Sequence, residues 1–194
     1  MLPPDDLAGA LQAALEQDPR PVPAAGDRLA AVLAPLITQP EPSLMFTVRA
    51  AAMSRHAGEI SFPGGLQDPG ETLVETVLRE VNEELGLDPD AVRIVGALPS
   101  VHTFVSGILV VPFVGMLATM PVLTVSDGEI DEVLTFPVMR LAEAEAVVHY
   151  DLDGGRTWKG FTYELEGATI WGATGWMLHT LLETIRKDTS WPIP

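Results

Sequence analysis

The stretch GLQDPGETLVETVLREVNEELGL, residues 65–87, decides the fold of this chain. Its second part, residues 72–85, predicts an amphipathic helix, because apolar residues recur three and four positions apart and form one stripe: Val74, Val77, Leu78, Val81 and Leu85. Gly86 stands where the C-cap of such a helix is expected. The segment therefore indicates a loop, a helix packed through one apolar face, and a second loop.

The predicted helix also carries a crowded acidic face. At ~100° per residue, Glu80, Glu83 and Glu84 fall within roughly one hundred degrees of its circumference. Carboxylates this close repel one another, and a hard divalent cation removes the conflict, because Mg²⁺ and Mn²⁺ prefer clustered oxygen ligands. Arg79 can pair with Glu75 or Glu83 one turn away. A solvated acidic face is the alternative that these residue types alone leave open.

Composition limits the classes of function. The net charge of -16 and the pI near 4.4 argue against binding to nucleic acid or to anionic membranes. The chain has no cysteine, which excludes disulfides, cysteine-bound zinc and a thiol nucleophile. Neither a signal peptide nor an apolar run of about 20 residues is found. We expect an acidic, soluble, cytoplasmic protein that binds a small molecule.

Periodicity and turn residues predict an α+β protein that is one domain over residues 1–194, with an N-terminal extension over residues 1–40 that is helical in part. Residues 28–37 fit either a short helix or a first strand, and residues 127–131 predict a turn. The other helices are expected at 5–16, 138–146 and 173–187, and the strands at 44–49, 59–62, 92–98, 108–117, 149–151, 161–165 and 168–171.

The spacing G-x5-E-x7-R-E-V-x-E-E-x-G-L is present at every fixed position: Gly65, Glu71, Arg79, Glu80, Val81, Glu83, Glu84, Gly86 and Leu87. It resembles the Nudix box, which forms a loop–helix–loop metal site in that family. The resemblance implies an α/β/α sandwich around a central mixed β-sheet. It also implies a Mg²⁺- or Mn²⁺-dependent pyrophosphohydrolase that cuts a nucleoside diphosphate linked to another group.

The resemblance also implies roles for individual residues. The metal ligands would be Glu80, Glu83 and Glu84, with the backbone carbonyl of Gly65 completing the set. Either Glu80 or Glu83 would act as the general base. Arg79 and Glu71 complete the catalytic set as residues that orient the others.

Residues 45–65, ahead of the box, resemble the signature of the coenzyme A diphosphatase branch, L-L-T-x-R-S/A-x3-R-x3-G-x3-F-P-G-G. The positions in register are Thr47, Arg49, Ala50, Gly58, Phe62, Pro63, Gly64 and Gly65. Met45 and Phe46 replace the leucine pair, and Ser54 stands at the second arginine, with Arg55 one position later. The implied substrate-binding residues are Arg49, Arg55, His56, Gly58 and Phe62.

Coenzyme A or a derivative is the substrate that this second resemblance implies. Another Nudix activity, on ADP-ribose, NADH, a dinucleoside polyphosphate or a nucleoside triphosphate, is one alternative, and a non-catalytic nucleotide sensor is another. Glu129, Asp131 and Glu132 either supply an additional site carboxylate or form an acidic turn. Trp171 and Trp176 either stack on adenine or pack in the core. The N-terminal helix either caps the domain or mediates a homodimer.

Overall fold

A computed structural model describes residues 4–50, 58–103, 107–152 and 156–194. Within these ranges, four α-helices and eleven strands follow one another along the chain. The elements are α1 Pro4–Ala14, β1 Arg28–Ile37, β2 Ser43–Arg49, β3 Ile60–Ser61, β4 Gly64–Leu66, α2 Leu73–Leu85, β5 Arg93–Ala97, β6 Val101–Thr103, β7 Ile108–Leu117, β8 Ile130–Pro137, α3 Val138–Glu143, β9 Glu145–Leu152, β10 Arg156–Leu165, β11 Ala168–Ile170 and α4 Gly172–Asp188.

The larger sheet has mixed strand directions and the order β3-β2-β1-β7-β5, with β4 on β1, β6 on β7 and β8 on β2. Strands β1 and β7 are parallel over ten paired residues, from Arg28–Ile108 to Ile37–Leu117. The other pairs in this sheet are antiparallel. A central parallel strand is buried on both faces and has no polar alternation, which explains why residues 28–37 fitted a helix or a strand equally well.

Helices cover the sheet on both faces. On one face, Ala31 and Leu33 of β1 pack in the same cluster as Val77, Val81 and Leu85 of α2. On the opposite face, residues of β1, α1 and α4 form a second cluster, which includes Ala34, Leu36, Leu7, Leu11, Leu178 and Leu181. This is the expected α/β/α sandwich with a central mixed sheet.

A smaller antiparallel sheet, with the order β11-β10-β9, packs on α4. The Glu145 carboxylate joins the two elements, because it accepts from Arg186 at 2.7 Å and from Tyr163 at 3.3 Å and also pairs with His179. Trp176 lies between the rings of Trp158 and Phe161, with centroid distances of 5.9 and 5.4 Å. Packing therefore accounts for Trp176.

Several boundaries differ from the predictions. The extension expected over residues 1–40 contains α1, but its last part is β1, the centre of the sheet. Strands β4, β6 and β8 were not predicted. The turn expected over 127–131 ends earlier, because β8 begins at Ile130, which pairs with Arg49 of β2. Helix α3 stops at Glu143 rather than 146, because β9 begins at Glu145.

None of the helices in the described ranges is both long enough and apolar enough to cross a membrane.

Candidate active site

Helix α2 presents its carboxylates because both of its ends are fixed. Thr72 is the N-cap, where its hydroxyl accepts from the Glu75 amide at 3.2 Å and the Glu75 carboxylate accepts from the Thr72 amide at 2.7 Å. Gly86 ends the helix in the left-handed region, at φ 63°. The apolar stripe packs on the sheet through Val77, Val81 and Leu85. Its first member, Val74, is exposed.

Arg79 connects the acidic residues of the loop and of the helix. Its Nε donates to Glu71 Oε1 at 2.7 Å, and its Nη1 donates to Glu80 Oε1 at 3.0 Å and to Glu83 Oε2 at 2.9 Å. Nη2 reaches the Leu66 carbonyl at 3.2 Å. The planar guanidinium therefore holds three carboxylates in fixed positions. Glu75, the other partner considered for Arg79, is used in the helix cap instead.

These contacts shift the pKa values of the groups involved. Hydrogen bonds from Arg79, opposed by partial burial and supported by Thr76 and the Asp68 amide, lower the pKa of Glu71 from 4.5 to about 2. The same hydrogen bond with Glu71 raises the pKa of Arg79. Glu71 and Arg79 are therefore a permanent ion pair at neutral pH.

The two adjacent glycines before the loop bring backbone and carboxylates together. Gly64 donates its amide to Glu84 Oε2 at 3.0 Å. A Cβ atom at Gly65 would lie 2.5 Å from the Glu80 carboxylate, so Glu80 rests directly against Gly65. Gly64 has φ 140°, and a Cβ there would lie 2.3 Å from the Ala31 carbonyl of β1. Glycine at both positions lets the turn pass between the sheet and α2.

Glu84 is a buried acid, with 6% of its surface exposed. Burial raises its pKa from 4.5 to about 7, and the charges of Glu80 and Glu129 add to this rise, while the Gly64 amide and Arg49 oppose it. Burial also raises the pKa of Glu80, against the lowering effect of Arg79, with Glu83 and Glu129 contributing to the rise. Glu129, just before β8, is thus the member of the 129–132 segment whose charge reaches both helix carboxylates.

A divalent cation fits the chemistry of this donor set. Four acidic side chains, Glu80, Glu83, Glu84 and Glu129, act on one another in a space where Arg79 and Arg49 supply the positive charge. Burial is the main cause of the raised pKa values of Glu80 and Glu84, and the charges of neighbouring glutamates add to it. Carboxylate oxygens are the ligands that Mg²⁺ and Mn²⁺ prefer.

The carboxylates are not gathered into a finished ligand set. Across the described ranges, no three acidic or histidine side chains converge closely enough to hold an ion as they stand. Glu80 and Glu83 are each turned toward Arg79. Arg79 thus engages only one oxygen of each carboxylate, Oε1 of Glu80 and Oε2 of Glu83.

Of the five predicted substrate-binding residues, the structure describes Arg49, Gly58 and Phe62. Arg49 ends β2 beside Glu84, whose pKa its charge lowers. Gly58 donates its amide to the Arg49 carbonyl at 2.9 Å, which places Gly58 next to the end of β2. Phe62 is 2% exposed and stacks on Phe46 at 4.9 Å, so the expected contact with substrate does not fit its burial. Arg55 and His56 lie outside the described residues.

The spacing of the motif gave no indication of one side chain in the network. Thr76 is fully buried, and its hydroxyl donates to Glu71 Oε2 at 2.9 Å. The available signal was its position, because at ~100° per residue Thr76 falls on the acidic face of α2, between Glu80 and Glu83. Trp171, the other tryptophan considered for stacking, is 47% exposed at the N-terminus of α4.

A glycine turn and an acidic helix on a mixed sheet, with helices on both faces, define a hydrolase of the Nudix fold class. The NUDIX domain matches residues 27–152, and the chain belongs to the Nudix hydrolase family. The family generally uses divalent metals such as Mg²⁺ or Mn²⁺. This confirms the family, the fold and the pyrophosphohydrolase class that the box implied.

Relatives and solved structures agree with this assignment. "Uncharacterized Nudix hydrolase NudL" of Pectobacterium atrosepticum is 36% identical over 79% of this chain and 81% of its own length. Its counterpart in Photorhabdus laumondii is 31% identical over 82% and 86%.

Two crystal structures share the fold at 13% identity. A MutT/nudix family protein from Enterococcus faecalis has a TM-score of 0.56 and covers 96% of this chain and 74% of its own. The NUDIX domain of Shewanella oneidensis NrtR, complexed with ADP ribose, has a TM-score of 0.53 and covers 84% and 88%.

Proposed function

We propose that this Nudix hydrolase cleaves the diphosphate bond of coenzyme A or its derivatives, with Mg²⁺ or Mn²⁺ as cofactor. The products would be 3′,5′-ADP and 4′-phosphopantetheine, or the acylated form of the latter. The proposal builds on the signature-like segment before the box, residues 45–65.

One observation carries the proposal: the signature segment and the acidic helix meet at the same place. The last two residues of the segment are Gly64, which donates to Glu84, and Gly65, which lies against Glu80. Arg49 of the same segment acts electrostatically on Glu84. A ligand with three phosphate groups needs local positive charge in a chain of net charge -16, and Arg49 supplies it next to the carboxylates.

The residues support hydrolysis as follows. A divalent cation, when bound by Glu80, Glu83 and Glu84, neutralises diphosphate charge and lowers the pKa of a bound water. Arg79 occupies Oε1 of Glu80 and Oε2 of Glu83. The second oxygen of each makes no hydrogen bond within the described ranges, so either can accept a proton from water. Both residues stay candidates for the general base.

The test is a comparison of kcat/KM for coenzyme A, dephospho-CoA, ADP-ribose and NADH. We expect coenzyme A to be preferred over dephospho-CoA, because the additional 3′-phosphate needs the cations of the signature segment. Equal turnover of the two compounds would instead favour another Nudix activity. Tight binding of a nucleotide without turnover, with either metal, would favour a sensor.

A variant pair sharpens this test. Arg49→Gln removes the charge beside Glu84 and is expected to raise KM for coenzyme A about tenfold, since a charge-assisted contact contributes roughly 1.5–3 kcal/mol. Arg93→Gln is the matched control, because Arg93 is exposed and its Nη2 donates to Gln12 at 3.3 Å, on α1. An unchanged KM in Arg49→Gln would remove the role assigned to Arg49.

A further inference from the structure

Two acceptors lie within hydrogen-bond distance of the Thr76 hydroxyl. Its Oγ1 lies 2.9 Å from Glu71 Oε2 and 3.1 Å from the Thr72 carbonyl. The Thr72 carbonyl already accepts the Thr76 amide at 2.9 Å. A hydroxyl has one proton to donate, and a hydrogen bond to a carboxylate is the stronger of the two. The proton therefore goes to Glu71.

This bond fixes the plane of the Glu71 carboxylate. Oε2 also accepts from Arg79 Nη2 at 3.2 Å and from the Asp68 amide at 3.2 Å, and Oε1 accepts from Arg79 Nε at 2.7 Å. Thr76 has no exposed surface, so water does not compete for its hydroxyl. The Glu71 carboxylate is thus held from the loop, from α2 and from Arg79 at once.

Arg79 transmits this orientation to the helix carboxylates. The guanidinium is planar, so the pairing of its Nε and Nη2 with Glu71 also sets the direction of Nη1. Nη1 is the atom that holds Glu80 and Glu83. A rotation of the Glu71 carboxylate would move both.

We propose that Thr76 is a positioning residue for the metal site. Its hydroxyl locks Glu71, which orients Arg79 and through it Glu80 and Glu83. Thr76 is not one of the fixed positions of the box spacing. This inference rests on the proposed metal-dependent function.

The chain offers a matched control for a purely structural role. Thr184 in α4 donates its hydroxyl to the Thr180 carbonyl at 2.9 Å, the usual bond of a helical threonine. No carboxylate accepts from it within the described part of the chain. Thr184→Val and Thr76→Val therefore each remove one helical threonine hydroxyl, and only the latter removes a bond to the site network.

The experiment measures Mn²⁺ binding to the full chain from the electron paramagnetic resonance signal of the free ion. We expect Thr76→Val to bind Mn²⁺ about tenfold more weakly, because mutation of the hydrogen-bonding residues that orient metal ligands typically lowers metal affinity by about tenfold or more. Thr76→Ser keeps the hydroxyl and should bind within twofold of wild type, as should Thr184→Val. The Mn²⁺ concentration that gives half-maximal hydrolysis should shift in parallel.

A double variant tests the route through Glu71. In a Glu71→Ala background, adding Thr76→Val should change Mn²⁺ affinity less than twofold, because no acceptor for the Thr76 hydroxyl is left at position 71. Wild-type affinity in Thr76→Val, equal weakening in Thr76→Ser, or full additivity in the double variant would overturn the inference. Failure of the wild-type chain to bind Mn²⁺ would instead overturn the proposed function, and this inference with it.

Discussion

Protonation of Glu84 is expected to control the stability of the metal-free protein. The pKa of this buried carboxyl is about 7 in the folded chain, above its ordinary value of 4.5. The folded state therefore holds the proton more tightly than the unfolded state does. The stabilisation that results is complete below pH 4.5 and is lost as the pH rises through 7.

The magnitude follows from the same two values. The interval from 4.5 to about 7 corresponds to about 3.5 kcal/mol in total, at roughly 1.4 kcal/mol per pH unit. Solvent screens the charge of Glu84 only weakly, because the residue is 6% exposed. Glu84→Gln removes the titration and keeps an oxygen that can accept from the Gly64 amide. The variant should therefore lack this part of the pH dependence.

Urea unfolding in excess chelator at pH 5 and pH 8 measures the effect. We expect the free energy of unfolding of the wild-type chain to fall by about 2.5 kcal/mol more than that of Glu84→Gln between these pH values, because part of the effect is already lost at pH 5. Mg²⁺ at one hundred times its Kd should return about 2.7 kcal/mol to the wild-type chain at pH 8, and less to the variant. Parallel pH profiles for the two proteins would refute the assignment of a raised pKa to Glu84.

Two further predictions concern the Arg79 network and the glycine turn. A lysine at position 79 cannot pair with Glu71 and hold Glu80 at the same time. For Arg79→Lys, kcat/KM should therefore fall about 100-fold, with little change in thermal stability. Full activity in a steady-state assay would contradict the role given to the Arg79 guanidinium. Gly65→Ala places a methyl group against the end of the Glu80 side chain and not against backbone, so calorimetry should show weaker Mn²⁺ binding and circular dichroism an intact fold. Gly64→Ala meets the Ala31 backbone at positive φ, so it should lower the free energy of unfolding by more than 1 kcal/mol; equal stability of the two alanine variants would argue against this difference.

The sequence predicted α2 closely because several local signals agree there. The apolar stripe and the terminal glycine both indicate the same helix, and the structure confirms it from Leu73 to Leu85. The acidic face next to the stripe follows from the same periodicity. The position of Arg79 beside Glu83 was also predictable, since four residues separate them.

The remaining differences come from contacts that are distant in the chain. Strand β8 was not predicted, because Asp131 and Glu132 suggest a turn, and it exists through pairing with β2. Strand β4 lies in a glycine-rich segment of low strand propensity and is held by β1. The burial of Phe62 under Phe46 depends on a tertiary contact that no periodicity encodes.

Within the site, spacing indicated which residues are involved but not how they pair. By position Glu75 was an equally good partner for Arg79, but its carboxylate accepts from the Thr72 amide in the N-terminal cap instead. The Glu71–Arg79 bond joins a loop to the helix eight residues later, beyond the reach of helical rules. The contribution of Thr76 follows only from that loop geometry.

The most direct test of the account is the release of 3′,5′-ADP from coenzyme A, followed by mass spectrometry while free Mg²⁺ or Mn²⁺ is titrated from chelated to saturating levels. We predict that 3′,5′-ADP and 4′-phosphopantetheine appear in equal amounts, at a rate that rises with the free metal ion and vanishes in chelator. Cleavage that continues at full rate in chelator, or no cleavage at any metal concentration, would contradict it.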